Sequence, residues 1–447
     1  MLLKRKIYQQ LLSWKNESAG RSAVLISGAR RVGKSFICKQ FGENEYRSMI
    51  TIDFSKPSSI VKDIFENDSG DLNSFFSKLS SHFKTILYKR ESLVIFDEVQ
   101  LYPLARQLIK HLVADGRYDF VETGSLLSIK QNVKDILIPS EEEEIEMHPL
   151  DFEEFLWAME DEVTFPFIRS YFEQKKPLGQ GMHRKVMNDF RQYMLVGGMP
   201  QAVLAYIGEK DFKATDREKA MILKLYRNDV AKFAKGYEGK VTALFDALPG
   251  QLSKKEKKYK LASISKNART REYEDAFMWL IDAMIVNSCF NATDPGYGLG
   301  LSLDHNTHKL YMADTGLLVT HACRGKGYIN NELYRAILFD KLYINEGMIM
   351  ENIVAQMLRA NGNQLFFYSR TDANSSSKTI EIDFLINVGS KVCPIEVKSS
   401  SYRTHSSLDK FRSKFHQKIG ESYIFYQKDV MIKNDVIHLP VYMASLI

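Results

Sequence analysis

Cysteine is scarce: the chain of 447 residues has four, at positions 38, 289, 323 and 393, far apart and with no C-x-x-C pair. That spacing excludes a zinc ribbon and a disulfide framework, and the expectation is reduced, mostly buried thiols. Long apolar runs are also missing. No stretch approaches the roughly 18 apolar residues of a membrane helix. The first ten residues are charged almost from the start and lack the apolar centre of a signal peptide. A cytoplasmic protein without a membrane partner is therefore expected. Internal repeats and low-complexity linkers are absent too. With 45% hydrophobic and 26% charged residues, the composition excludes extended disorder and fibrous architecture.

A length beyond the ~250–300 residues at which single cores stop growing implies two or three domains. The pattern divides the chain at residues 1–160, 161–345 and 346–447. Net charge is +6, a mild lean toward nucleic acid or other polyanions, well short of a dedicated basic protein. The charge is patchy. Lys254, Lys255, Lys257, Lys258 and Lys260 form a basic run and Glu141 to Glu144 an acidic one, each of which reads as a solvated loop.

From Ser22 to Ile129 short apolar runs at 23–27, 49–54, 93–96 and 119–122 alternate with amphipathic stretches. Strands alternating with helices predict a parallel sheet in an α/β layer architecture. From Arg169 to about Leu342 the pattern is mainly helical, punctuated at Leu195 to Pro200. Within it, 261–265, a polar turn, a helix at 270–286, a Gly-rich turn at 296–300 and a strand at 309–312 follow the order of a winged helix-turn-helix. A plain αα-hairpin fits that pattern equally well. From Gly347 a long helix precedes strands at 365–369, 380–386, 392–397 and 422–426, a second α/β unit.

The chemistry starts at Gly28-Ala29-Arg30-Arg31-Val32-Gly33-Lys34-Ser35, a G-x-x-x-x-G-K-S segment that follows the strand 23–27 and opens a helix at Ser35 and Phe36. In that context the motif is a phosphate cradle. Its glycines let successive backbone N–H groups turn toward an anion, and the helix N-terminus adds a favourable dipole. Lys34 is expected on the β- and γ-phosphates of ATP and Ser35 on magnesium. The apolar run ending in Asp97-Glu98 supplies the second part, with Asp97 toward Mg2+ and Glu98 polarising the attacking water. The third strand ends in Thr123-Gly124-Ser125, where either hydroxyl could sense the γ-phosphate; Ser125 is grouped with Lys34, Asp97 and Glu98. Arg30, Arg31 and Arg117 are candidate phosphate or neighbour-subunit contacts.

These segments, with Asp97 to Gln100, Pro149 to Leu156, Gly197 to Pro200 and Lys309 to Leu317, resemble a family spanning nearly the whole chain. It comprises the predicted AAA-type ATPases of bacteria and archaea that carry domain of unknown function 4143 at the C-terminus. The resemblance implies an AAA core, a winged-helix-like middle and ATP hydrolysis. AAA cores often assemble, so a homo-oligomer is in keeping with it.

In the last segment Glu351 lies on the long helix, Asp383 in one strand, and Glu396-Val397-Lys398 in the next. Asp followed by Glu-x-Lys resembles the PD-(D/E)xK nuclease pattern, whose fold is restriction-endonuclease-like α/β. Glu396 and Lys398 would share one face because strand side chains alternate. Two carboxylates could then hold magnesium beside a lysine. An ordinary surface ion pair gives the same letters. The combined expectation is a three-part ATPase acting on DNA; its rivals are an ATP-dependent signalling switch with an inert C-terminal module, and a small-molecule kinase.

Overall fold

The computed structural model describes residues 3–125, 141–254, 272–296, 298–323, 346–372, 375–399 and 405–447. They form two compact units. The first takes in the described chain up to His148 together with Asp282–Met284, and the second takes in the rest from Pro149 on.

In the first unit the apolar runs become β1 (Ala23–Gly28), β2 (Ser48–Asp53), β3 (Ser92–Asp97) and β4 (Asp119–Gly124), with β5 (Glu142–Met147) following. Their order is β2-β3-β4-β1-β5 and every neighbouring pair is parallel. Among the described residues they are accompanied by α1 (Ile7–Ser18), α2 (Lys34–Glu45), α3 (Ser59–Asn67), α4 (Leu72–Phe83) and α5 (Pro103–Asp115). Alternation sends side chains to both faces. Val24, Ile26, Leu93, Ile95 and Val121 pack with Leu11, Trp14 and Phe41 of α1 and α2. Leu25, Val94, Phe96 and Phe120 pack with Phe65, Phe75 and Ile109 of α3 to α5. Both faces are covered, so these strands are apolar throughout rather than alternating. Because β3, β4 and β1 are adjacent, their carboxyl ends lie side by side, where open α/β sheets bind ligands.

The acidic run corrects its own expectation. Glu142 to Glu144 lie in β5, in parallel register with Ala23 to Leu25 of β1. Glu142, with a side chain 5% exposed, is 2.7 Å from the Arg106 guanidinium of α5. A buried arginine 36 residues away turns a run that looks solvated into a strand.

The second unit begins with helices α6 (Phe152–Ala158), α7 (Thr164–Glu173), α8 (Gln180–Val196), α9 (Pro200–Glu209), α10 (Phe212–Phe233), α11 (Glu238–Leu252) and α12 (Glu274–Asp282). Then come β6 (Val286–Ala292), β7 (Leu303–Met312), α13 (Thr315–Ala322) and α14 (Glu346–Ala360). The chain ends with β8 (Leu365–Asp372), β9 (Ser375–Val388), β10 (Lys391–Val397), α15 (Ser406–Lys414), β11 (Ser422–Tyr426), β12 (Met431–Lys433) and β13 (Val436–Pro440). The strands make one mixed sheet, β12-β13-β11-β10-β9-β8-β6-β7.

Part of the expected winged helix, 261–265, lies outside the described residues. The helix expected over 270–286 is α12, and Val286 already opens β6. The strand expected at 309–312 is the end of β7, which pairs antiparallel with β6, while β6 pairs parallel with β8. The middle and C-terminal segments thus share a sheet and one compact unit.

Three motifs that sequence left without a job meet in this unit. Leu150 N–H donates to Gly198 O at 2.7 Å, and Gly198 N–H donates to Asp314 Oδ2 at 2.5 Å. Asp314 also caps α13 by accepting from Leu317 N–H. A Cβ on Gly316 would stand 2.6 Å from Gly197 Cα and Val196 O, which is why glycine is required there. Asn352 and Gln356 of α14 close the junction, bonding Met312 N–H and Thr315 N–H at 2.7 Å each.

Candidate functional site

The loop from Gly28 to Lys34 joins β1 to α2. Gly33 has φ +106° and Arg31 φ +71°, so the loop passes twice through the left-handed region that lets N–H groups converge. A Cβ on Gly28 would lie 2.5 Å from Met147 O, so the loop packs on the end of β5. Arg5 braces it, donating to Val32 O at 3.0 Å and His148 O at 2.6 Å. Ala29 and Val32 are buried, whereas Arg30, Arg31 and Phe36 are exposed.

Lys34 is buried and donates to Gly28 O at 2.8 Å and Ala29 O at 3.2 Å. Burial pulls its ammonium below the ordinary lysine value, while the Glu98 and Asp97 carboxylates act to hold it up. Ser35 Oγ donates to Asp97 Oδ1 at 2.7 Å, and Thr123 Oγ1 donates to the same oxygen. Of the two hydroxyl candidates at the end of β4, Thr123 meets the acid pair, and its Oγ1 also accepts from Glu98 N–H at 3.3 Å. Ser125 lies half-buried just beyond the strand.

Glu98 has φ +57° and ψ +43°, a left-handed conformation costing a side-chain-bearing residue about 1–3 kcal/mol. Its Oε2 accepts from Gln100 Nε2 at 2.5 Å. Sequence reasoning missed Gln100, which was visible only as part of the Asp97 to Gln100 motif. Arg117 is committed elsewhere: it donates to Asp115 at 2.6 Å and Asn73 at 2.9 Å. The donor set of Lys34, Ser35, Asp97 and Glu98 fits a magnesium nucleotide. One hydroxyl and one carboxylate oxygen already meet, with a cation and a second carboxylate beside them.

The C-terminal residues also come together. Glu396 and Lys398 sit 2.6 Å apart. Asp383 Oδ2 accepts from Val397 N–H at 2.9 Å, and Glu351 Oε2 accepts from Tyr311 Oη at 3.2 Å. Sequence reasoning missed Lys309, whose ammonium is 3.0 Å from Glu381 and 4.0 Å from Asp383. Burial works against that ammonium, yet Glu351, Asp383 and Glu381 hold it well above the ordinary lysine range. Burial raises the Glu396 carboxyl above its usual value, with Lys398 opposing. Among the described residues, no group of three or more His, Cys, Asp or Glu side chains is placed to hold a metal ion. Glu351, Asp383 and Glu396 thus do not form such a group.

Comparison with known proteins sorts the chain into matched segments. Residues 20–156 match an AAA domain, residues 187–326 a domain of unknown function (DUF8612) and residues 346–443 a domain of unknown function (DUF4143). No curated protein matches. Among solved structures the chain is similar to a Walker-type ATPase of Pyrococcus abyssi, at 15% identity and TM-score 0.44, covering 72% of this chain and 96% of that one. It is also similar to the Aeropyrum pernix ORC1 protein in complex with DNA, at 11% identity and TM-score 0.27, covering 76% and 93%. A third is Cdc6p from Pyrobaculum aerophilum, at 10% identity and TM-score 0.28, covering 75% and 94%. No helix of the described residues is long and apolar enough to cross a membrane.

Proposed function

We propose that this chain, an AAA-type P-loop domain followed by a DUF4143 domain, binds ATP with magnesium and hydrolyses it. One observation carries the reading. Ser35 at the start of α2 and Thr123 of β4 both hydrogen-bond Asp97 at the end of β3, and the buried Lys34 beside them donates to Gly28 O and Ala29 O at the end of β1. The backbone N–H groups of the loop and the Lys34 ammonium bind the phosphates. Ser35 and Asp97 hold the magnesium, which when bound supplies positive charge to the phosphate oxygens. Glu98 orients a water and takes its proton, and Gln100 keeps that carboxylate in place through its amide.

The test separates binding from chemistry. Glu98→Gln keeps the shape but not the basicity, so ATP affinity should stay near wild type while turnover falls ~10²–10⁴-fold. Wild-type turnover in that variant would reduce Glu98 to a structural role.

The finer reading takes DNA as the partner. It is supported by the net charge of +6 and the run Lys254 to Lys260. Of that run, Lys254 follows the end of α11, and the other lysines lie outside the described residues. If ATP turnover does not rise with added DNA, the signalling switch takes its place.

A further inference from the structure

We infer that Lys309 is the resident cation of the C-terminal acidic cluster, and that this cluster is a metal-free fastening which neither binds a divalent ion nor cleaves DNA. The geometry repeats one device three times. Lys309 and Tyr311 on β7, Glu381 and Asp383 on β9, and Glu396 on β10 with Lys398 just past its end are each spaced i, i+2, which puts both members of a pair on one side of the extended chain. Glu351 reaches the group from α14, bonded to Tyr311.

A magnesium site needs carboxylate oxygens turned to one point at about 2.0–2.1 Å from the ion. Here each carboxylate has an oxygen beside a donor or an ammonium of the protein, the buried Glu396 oxygens meeting Lys398 as an ion pair without a hydrogen bond. Glu381 Oε1 faces the Lys309 ammonium at 3.0 Å, Asp383 Oδ2 takes the Val397 N–H at 2.9 Å, Glu351 takes the Tyr311 hydroxyl, and Glu396 Oε2 faces Lys398 at 2.6 Å. The Lys309 side chain is 1% exposed and lies over the Phe367 ring, 4.8 Å from its centroid. A buried ammonium without partners is strongly disfavoured, so it cannot step aside for an incoming ion without losing the very contacts that make its burial tolerable. A dication placed among the same carboxylates would also be repelled by it. The cluster therefore ties β7, from the middle of the chain, to β9, β10 and α14 at its end. This inference is independent of ATP hydrolysis and survives or fails without it.

The experiment titrates Mn2+ into the nucleotide-free full chain and counts free Mn2+ by electron paramagnetic resonance. Wild type, Asp383→Asn and Glu396→Gln should give superimposable isotherms. Lys309→Met, if folded by circular dichroism, should gain affinity at one site by tenfold or more, and Asp383→Asn on that background should remove the gain. A Mn2+ bound by wild type but lost in Asp383→Asn or Glu396→Gln would overturn the inference. So would Mn2+-dependent nicking of plasmid DNA that Asp383→Asn abolishes, or a folded Lys309→Met that gains nothing. The comparison of wild type with the two acid variants stands even where Lys309→Met does not fold.

Discussion

Lys34 carries a charge that the surrounding structure makes expensive to keep. It is buried and depressed by that burial, so the strongly anionic phosphates of a nucleotide are a better partner for it than the two carbonyls it now holds. Removing it should cost about 3 kcal/mol of charge-assisted bonding, roughly a hundredfold in Kd. Lys34→Ala, measured by titration with a fluorescent ATP analogue, should show that loss, and undiminished affinity would sink the nucleotide reading. At the same scale, Gly316 admits a balance of two effects. Alanine would favour helix α13 by about 1 kcal/mol, but its Cβ would meet backbone atoms at 2.6 Å, and overpacking costs about 1–3 kcal/mol where backbone must shift. The clash should win. Gly316→Ala is expected to lower the second unit's melting temperature by several degrees, with the first unit's transition, identified by its shift with ATP, staying put as the internal reference.

Strand β5 and helix α5 show how an element is held by charge rather than by apolar fit. Arg106 lies 2.7 Å from Glu142 and 3.9 Å from Glu122, and the two carboxyls face each other inside the sheet. Burial, reinforced by Glu142, raises the Glu122 carboxyl well above its ordinary value, with Arg106 opposing. A folded pKa above the unfolded one means that Glu122 contributes stability below about pH 4.3, its unfolded value. That contribution is lost as pH climbs through the folded value. The first unit should therefore lose stability with rising pH above that point through this group. Glu122→Gln, whose amide can still donate to Glu142, should flatten that part of the profile in urea unfolding measured from pH 5 to 8. Equal slopes for the two proteins would show that Glu122 is ionised in the fold throughout.

For the molecule as a whole, the DNA reading is a statement about a field. Phosphate contacts release counterions, so affinity should fall steeply with salt. Changing Lys254, Lys255, Lys257 and Lys258 to Glu should weaken binding alike on all sequences, since backbone contacts carry no base information. Fluorescence anisotropy on two unrelated duplexes from 50 to 200 mM salt checks both points. Absence of binding at the lowest salt would leave ATP hydrolysis standing and remove DNA as its partner.

Much of the first unit was legible because its signals are local. A strand buried on both faces is a contiguous apolar run, and a phosphate loop is a contiguous motif, so the positions of β1 to β4 and of the loop Gly28 to Ser35 between β1 and α2 could be read residue by residue. The strands β8 to β11 were readable for the same reason. What escaped depends on partners distant along the chain. Glu142 to Glu144 became a strand because Arg106 waits on α5, and the expected wing joined the large sheet because β6 hydrogen-bonds to β8. Lys309, one letter of an unexplained motif, sits among carboxylates from β9 and α14. Sequence alone determined which side chains were available for binding phosphate and for pairing charge. Tertiary structure decided which carboxylates face an incoming ligand and which already face a lysine, because burial makes every unmatched charge costly and only the folded chain shows which charges are matched.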